Sequence, residues 1–374
     1  MIKDLIVSFK GILSRMHCNQ KKLNSIQSLR GLAAMLVVMF HFRTDLALTF
    51  PVADRIFGCG SIGVDLFFMI SGFIAYYVTV NENNGLRSSR DFMIKRICRI
   101  LPPYIIATLF VAGKSWEAWK ITLQSFLFLP RDITQIAPYF GYAKLNVGWT
   151  LNYEFVFYSL CAFALLFRGV KFRVLVLLIT LLVILPYYLN GSHGELAGIN
   201  YGYPGYLSIA TNGMMLEFLA GIFIAYLTLN KSLIGSRIIW RITIILAATY
   251  FAYVATGFGS GIGNGHYGFA SASFFLLFAV TGYDARFGLK ARSFLTDIGA
   301  VSFSVYLMHT RGMSVASNTI YRFYQGQYAG LAVTLAALIL TTLFSLFFYK
   351  YVEVKLCSTL RRKLLSPKTT LSVQ

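Results

Sequence analysis

YAGLAVTLAALILTTLFSLFFY, residues 328–349, runs for 22 residues without a charged side chain. A helix needs about 20 mostly apolar residues to cross the ~30 Å hydrocarbon core of a bilayer. The stretch therefore reads as a membrane-crossing helix, and the pattern recurs along the chain. Nine more stretches read as spans: 29–48, 62–80, 99–113, 149–167, 174–189, 213–229, 238–257, 267–283 and 298–312. Residues 118–129 (AWKITLQSFLFL) are apolar but too short, and a crossing there would invert every later loop. The expected fold is all-α: a polytopic transmembrane protein of about ten helices.

Composition agrees. Of 374 residues, 57% are hydrophobic and 13% charged, about half the charge of a soluble domain. Disorder, a collagen-like chain and a small disulfide scaffold are excluded, and a soluble enzyme is disfavoured. Lys+Arg exceed Asp+Glu by 34 to 14, a formal charge of +20. In a soluble protein that excess points to nucleic acid; in so apolar a chain it reports topology, because cytoplasmic loops collect Lys and Arg. With the N-terminus inside, segments 1–30, 81–100, 168–173, 230–241, 284–297 and 350–374 face the cytoplasm and hold 26 of the 34 basic residues. The expectation is N-in and C-in, with no nucleic-acid partner.

The ends read differently from the middle. Within residues 1–24, Ile2, Leu5, Ile6, Phe9, Ile12, Leu13 and Met16 share one helical face, as in an amphipathic segment lying on the inner leaflet among membrane lipids. No cleavable signal peptide is expected. Residues 25–352 form the membrane-embedded domain, and 353–374, with Arg361-Arg362-Lys363, form a basic cytoplasmic tail. No repeat or second domain is visible. Five cysteines without a C-x-x-C spacing give no disulfide framework and no metal site.

Ionisable residues inside spans cost roughly 2.5–3.5 kcal/mol each on insertion scales, so they mark function by default. Arg30 and His41 lie eleven residues apart on the first span, which puts them on one helical face about 16 Å apart along the axis. Asp65, Glu154, Glu217 and His309 enter from four other spans, all in the outer half of the membrane like His41, with His309 at a depth close to that of His41 and Asp65 and Glu217 nearest the surface. A His–carboxylate pair there would fix one imidazole tautomer and leave the other nitrogen as a general base; a polar cluster that only fixes helix packing would look the same. At the opposite end, Arg96 and Arg99 stand three apart on one face, and with Arg30 they make a guanidinium cluster suited to phosphate. Pro102-Pro103 directly after them is expected to reorient that helix end. Trp149 and Tyr153 suit an interfacial belt or a sugar platform equally, and the loop 190–206 (NGSHGELAGINYGYPGY) reads equally as a carbohydrate-receiving loop or a plain outer loop.

Taken in order, these residues resemble the acyltransferase-3 family of bacterial integral membrane O-acyltransferases. Arg30 with His41 resembles its R-x10-H, and residues 63–73 (GVDLFFMISGF, with Asp65 and Ser71) its G-V-D-L-F-F-x-x-S-G-F. Arg96-Ile97-Cys98-Arg99 is similar to its R-x-x-R, and Trp149-Thr150-Leu151-Asn152-Tyr153-Glu154, followed by Phe157-Tyr158, to its W-[ST]-L-x-x-E-x-x-F-Y. Glu217-Phe218 with Gly221, and residues 304–309 ending in His309, resemble later blocks. The family's H-x-P is His309-Thr310-Arg311 here, and its E-x-P is Glu353-Val354-Lys355.

The resemblance implies an acyl-CoA donor, most simply acetyl-CoA as co-substrate with no bound cofactor, and an acceptor glycan or lipid-linked glycan at the outer face of the bacterial inner membrane. By the same resemblance His41 matches the catalytic histidine and Glu154 a carboxylate assisting it. Arg30, Arg96 and Arg99 match donor-binding positions, with Asp65, Ser71, Asn152, Glu217 and His309 in a supporting polar site. The opening and Trp-Thr-Leu-Asn-Tyr-Glu blocks resemble members that acetylate O-antigen, exopolysaccharide or capsule. The reading from another class is a transporter of a glycan or lipid-linked sugar, its path lined by the same polar groups.

Overall fold

Apolar residues that recur without polar interruption bury their backbone polar groups within helices, the only open-chain solution in lipid. The computed structural model describes residues 23–230, 233–257, 266–289 and 294–365, and among them there is helix and loop but no strand. The helices are α1 (Asn24–Ala47), α2 (Val52–Phe57), α3 (Ile62–Thr79), α4 (Leu86–Leu109), α5 (Trp116–Phe126), α6 (Trp149–Ala164), α7 (Lys171–Leu189), α8 (Tyr206–Ala210), α9 (Met215–Leu229), α10 (Arg237–Ala255), α11 (His266–Phe287), α12 (Phe294–Phe323), α13 (Ala329–Phe348) and α14 (Cys357–Leu365). A π-helical stretch, Tyr349–Leu356, joins the last two. The amphipathic segment expected at 1–24 lies almost wholly outside the described residues.

Among the described residues, six helical stretches are long and apolar enough to cross a membrane: Asn24–Ala47, Val52–Thr79, Lys171–Leu189, Arg237–Ala255, Gly268–Phe287 and Ala329–Leu365. Met215–Leu229 is apolar but shorter. The chain is a multi-pass helical membrane protein. Each stretch read as a span from the sequence coincides with one helix, and α5 covers the rejected stretch with 11 residues, about 16 Å of rise.

Two boundaries differ from the sequence reading. The third helix starts at Leu86 rather than 99, and it continues as helix through Pro102 and Pro103 to Leu109. Proline removes a backbone donor and crowds the preceding turn, but neighbouring helices can hold such a segment in register; α4 packs against α6, α12 and α14. Its first half is helical despite Arg87, Arg90, Asp91 and Lys95, which hydropathy alone scores as loop. The ninth span is likewise longer, because residue 311 is Arg and not Pro, and α12 runs 30 residues.

The core helices are α1, α3, α9, α12 and α13: α12 lies along both α13 and α1, and α3 along both α9 and α1. The crossing of α3 and α9 is closest at two glycines. A Cβ on Gly72 would strike Phe218 O, and one on Gly221 would strike Met69 O. Small residues at such a crossing let two backbones touch, which is how helices gain packing contacts where lipid offers no hydrophobic driving force. Outer helices α7 and α10 are mostly uncovered, with apolar side chains such as Leu177, Leu181, Ile245 and Leu246 exposed, as lipid-facing helices require. Lys171 is the buried cation of this periphery: its Nζ donates to the carbonyls of Thr79 (2.6 Å), Glu82 (3.1 Å) and Val80 (3.3 Å) and closes the C-terminus of α3.

Candidate active site

The packing of α1, α3, α4, α6 and α12 leaves a cavity between them. Arg30 from α1, Arg96 and Arg99 from α4, and Ser71, Glu154, Tyr158, Thr150 and Tyr306 supply its polar wall, with Val64, Phe67, Phe68, Ile74 and Phe303 among its apolar residues. The three arginines expected to cluster do so. Arg96 is 7% exposed, with its guanidinium carbon 4.9 Å from the ring centre of Tyr158 and 5.3 Å from that of Phe92. Among the described residues, no side-chain hydrogen bond or ion pair engages Arg30, Arg96 or Arg99. All three line the cavity, and Arg30 lies within electrostatic reach of Arg99, Glu154 and Glu353.

Glu154 is fixed through one oxygen. Its Oε1 accepts from Ser71 Oγ (2.8 Å) and from Tyr158 OH (2.6 Å). Two donors satisfy that atom's lone pairs and leave Oε2 for the cavity. Higher on the wall, Tyr306 OH and Thr150 Oγ1 are 2.8 Å apart, and both reach Val147 O, at 3.0 and 3.1 Å. They tie α12 and α6 to the end of the loop that follows α5. That loop closes over the same end of the bundle: Phe128 stacks on Tyr104 and Phe155, Pro138 O accepts from Tyr153 OH at 3.0 Å, and Tyr139 packs edge-on to Trp149. Asn200, from the loop 190–206, donates to Ile133 O and Gln135 O.

His41 lies on the same helix as Arg30, about 16 Å further along. Its Nδ1 is 2.9 Å from Val37 O and 3.3 Å from His309 Nε2, while His309 Nδ1 is 3.2 Å from Val305 O. The two imidazole centres are 4.9 Å apart. A carbonyl only accepts, so Nδ1 of His41 carries the proton and its Nε2 keeps the lone pair. That nitrogen is the basic and nucleophilic one. Tyr306, whose ring centre is 6.0 Å from that of His309, lines the cavity, and neither histidine does.

The five ionisable groups expected in one zone thus separate into three places. His41 meets His309. Asp65 and Glu217 meet each other through a side-chain hydrogen bond between α3 and α9, at 2% and 5% exposure. Glu154 sits with the arginines, and no hydrogen bond joins it to His41 among the described residues. Asn152 is buried on α6 with Oδ1 unpaired. Among the described residues, no group of three His, Cys, Asp or Glu could hold a metal ion.

Three neighbours of the site carry no role in the sequence reading: Tyr158, Tyr306 and Glu353. Glu353, on the π-helical stretch, accepts from Ser304 Oγ at 2.7 Å and lies within electrostatic reach of Arg30 and Arg99. A signal for it existed, since it is the only acidic residue after Asp297 in a strongly basic tail.

The arrangement offers two kinds of chemistry: a cavity wall with three guanidinium groups that make no hydrogen bond or ion pair among the described residues, and, further along the helix that carries Arg30, an imidazole whose Nε2 keeps its lone pair. A family model described as an acyltransferase domain matches residues 23–350. The exopolysaccharide production protein ExoZ of Rhizobium meliloti (strain 1021) is 27% identical over 293 residues, covering 75% of this chain and 82% of that protein. The O-acetyl transferase of Shigella phage Sf6 is 28% identical over 258 residues, 64% of this chain and 72% of the relative. No solved structure matches the chain.

Proposed function

The chain belongs to this acyltransferase-domain family, and on that premise we propose that it moves an acetyl group from cytoplasmic acetyl-CoA to a hydroxyl of a cell-surface polysaccharide (O-antigen, exopolysaccharide or capsule) or its lipid-linked precursor. In this reading about ten helices cross the bacterial cytoplasmic membrane, N-in and C-in, which puts Arg30, Arg96 and Arg99 at the inner mouth and His41 beyond the midplane. The observation that carries it is the set of three arginines that, among the described residues, have no hydrogen-bond or ion-pair partner and line one cavity, with His41 further along the helix that carries Arg30. Guanidinium forks match phosphate oxygens, and CoA bears its phosphates at one end and its thioester at the other, on a long flexible arm.

With the phosphates held at the arginines, the arm follows the apolar wall of Phe67, Phe68 and Phe303 to Tyr306, whose ring centre is 6.0 Å from that of His309. Nε2 of His41 takes the proton from the acceptor hydroxyl as its oxygen attacks the thioester carbonyl. The C–S bond breaks, CoA leaves as the thiol, and the proton passes to its sulfur. Glu154, held by Ser71 and Tyr158, offsets the charge of the arginines at the cavity, with Arg30 within its electrostatic reach. The acetyl donor and the polysaccharide acceptor follow the names of the two relatives.

A producing strain deleted for this gene and complemented with wild type or His41→Ala tests the reading. Proton NMR of the extracted polysaccharide should show base-labile acetyl signals with wild type and none with His41→Ala at equal membrane levels. Unchanged acetylation accompanied by loss of surface polysaccharide would replace the enzyme with a transporter.

A further inference from the structure

We infer that His309 is a positioning residue for His41, holding its imidazole in the tautomer and orientation that expose Nε2 to the acceptor; the inference rests on the acyl-transfer reading above. Three distances carry it. Val305 O lies 3.2 Å from His309 Nδ1, and because a carbonyl only accepts, Nδ1 of His309 is the protonated nitrogen. Its Nε2 is then a bare lone pair, and that atom is 3.3 Å from Nδ1 of His41. Nδ1 of His41, protonated because it faces Val37 O at 2.9 Å, has a second acceptor in His309. All three contacts are satisfied by one assignment only: each histidine carries its proton on Nδ1, and each Nδ1–H points back to the carbonyl four residues earlier on its own helix.

A single backbone acceptor allows the ring to swing about its Cβ–Cγ bond; a second one, from a different helix, removes that freedom. His309 is well suited to the task because it is wholly buried, with the rings of Phe42 and Tyr306 at 6.4 and 6.0 Å limiting its own movement. When His41 accepts the hydroxyl proton on Nε2, its Nδ1–H becomes a stronger donor, and the lone pair of His309 stabilises the imidazolium as the orienting group of a catalytic triad does. His309 keeps its own proton throughout. A charge on it would be enclosed and unpaired, which low-dielectric surroundings strongly oppose. The proton received by His41 therefore leaves through Nε2 to the departing sulfur, and no relay through α12 is required. A neutral imidazole in this position also explains why Glu154 is not needed beside His41.

The test uses the full chain purified in detergent, assayed for CoA release from acetyl-CoA with polysaccharide from the deletion strain as acceptor. His309→Leu keeps bulk without an acceptor, and His309→Gln restores an acceptor oxygen. His309→Leu is expected to lower kcat about 10- to 100-fold, the usual cost of removing a group that orients a reactive imidazole, while KM for acetyl-CoA stays within about twofold. His309→Gln recovers a substantial part of the loss, and both variants melt near the wild-type temperature. A His309→Leu variant with wild-type kcat, or a His309→Gln variant no better than His309→Leu, overturns the assignment. Both variants as inactive as His41→Ala would also overturn it, by giving His309 a direct part in the chemistry. Failure of the wild type to release CoA at all is a separate result, which removes the parent reading.

Discussion

Tyr158→Phe is the sharpest perturbation available at the cavity, because it deletes one hydrogen bond and little else. The phenol donates to Oε1 of Glu154 at 2.6 Å, and the ring it leaves behind still stacks under Arg96, whose guanidinium carbon is 4.9 Å from the ring centre. A hydrogen bond to a charged group contributes about 1.5–3 kcal/mol. Ser71 still donates to the same oxygen at 2.8 Å, so the single variant falls at the low end, about 1.5 kcal/mol, or roughly tenfold in kcat/KM. Ser71→Ala alone costs a similar amount. The double variant leaves Oε1 with no donor, and the unrelieved desolvation of the carboxylate makes the loss greater than the sum, beyond ~3 kcal/mol or roughly 150-fold. CoA release measured over a range of acetyl-CoA concentrations gives the four corners of the cycle. A Tyr158→Phe enzyme within twofold of wild type, or a double variant no worse than either single one, refutes the role assigned to Glu154.

Arg96→Lys keeps the charge but loses the planar stack between Phe92 and Tyr158; about 1–2 kcal/mol of cation–π attraction predicts a 5- to 30-fold rise in KM for acetyl-CoA with kcat largely kept. Gly221→Val drives a side chain into Met69 O at the crossing of α3 and α9, and overpacking of this kind, about 1–3 kcal/mol or more, should appear as a lower melting temperature in detergent and reduced membrane levels. Lys171→Met strips a cation from three carbonyls at the end of α3, for a loss of about 1–3 kcal/mol; the expected result is reduced thermal stability with near-normal KM in the surviving protein.

The membrane fold is legible in the sequence because hydropathy responds to the one constraint that lipid imposes. The stretch 328–349 and its nine counterparts each fall on a helix for that reason. Hydropathy fails where a helix leaves the apolar layer or stays covered by protein: residues 86–98 are helical with four basic side chains at positions 87, 90, 95 and 96, and Pro102-Pro103 stays inside a helix supported by its neighbours. The arginine cluster was legible from spacing, since Arg96 and Arg99 share a face and Arg30 shares one with His41. Which polar groups meet was not. Depth along a helix is readable from the sequence, but rotation about it and neighbour identity are set by packing. So Glu154 joined the arginines, Asp65 joined Glu217, and His41 took His309 as its partner. Glu353 enters the sequence reading only in the Glu353-Val354-Lys355 block of the resemblance, and its place beside Arg30 and Arg99 is likewise set by packing.

The most direct measurement is acetyl-CoA-dependent CoA release by the purified wild-type protein and His41→Ala, reconstituted in liposomes with the unacetylated polysaccharide. A positioned general base contributes about 10²- to 10⁴-fold. The account predicts release by wild type that requires acceptor, and a His41→Ala rate lower by at least 100-fold with acetyl-CoA affinity preserved at the arginines. A His41→Ala protein that turns over at the wild-type rate, or a wild-type protein that moves the glycan without consuming acetyl-CoA, would contradict it.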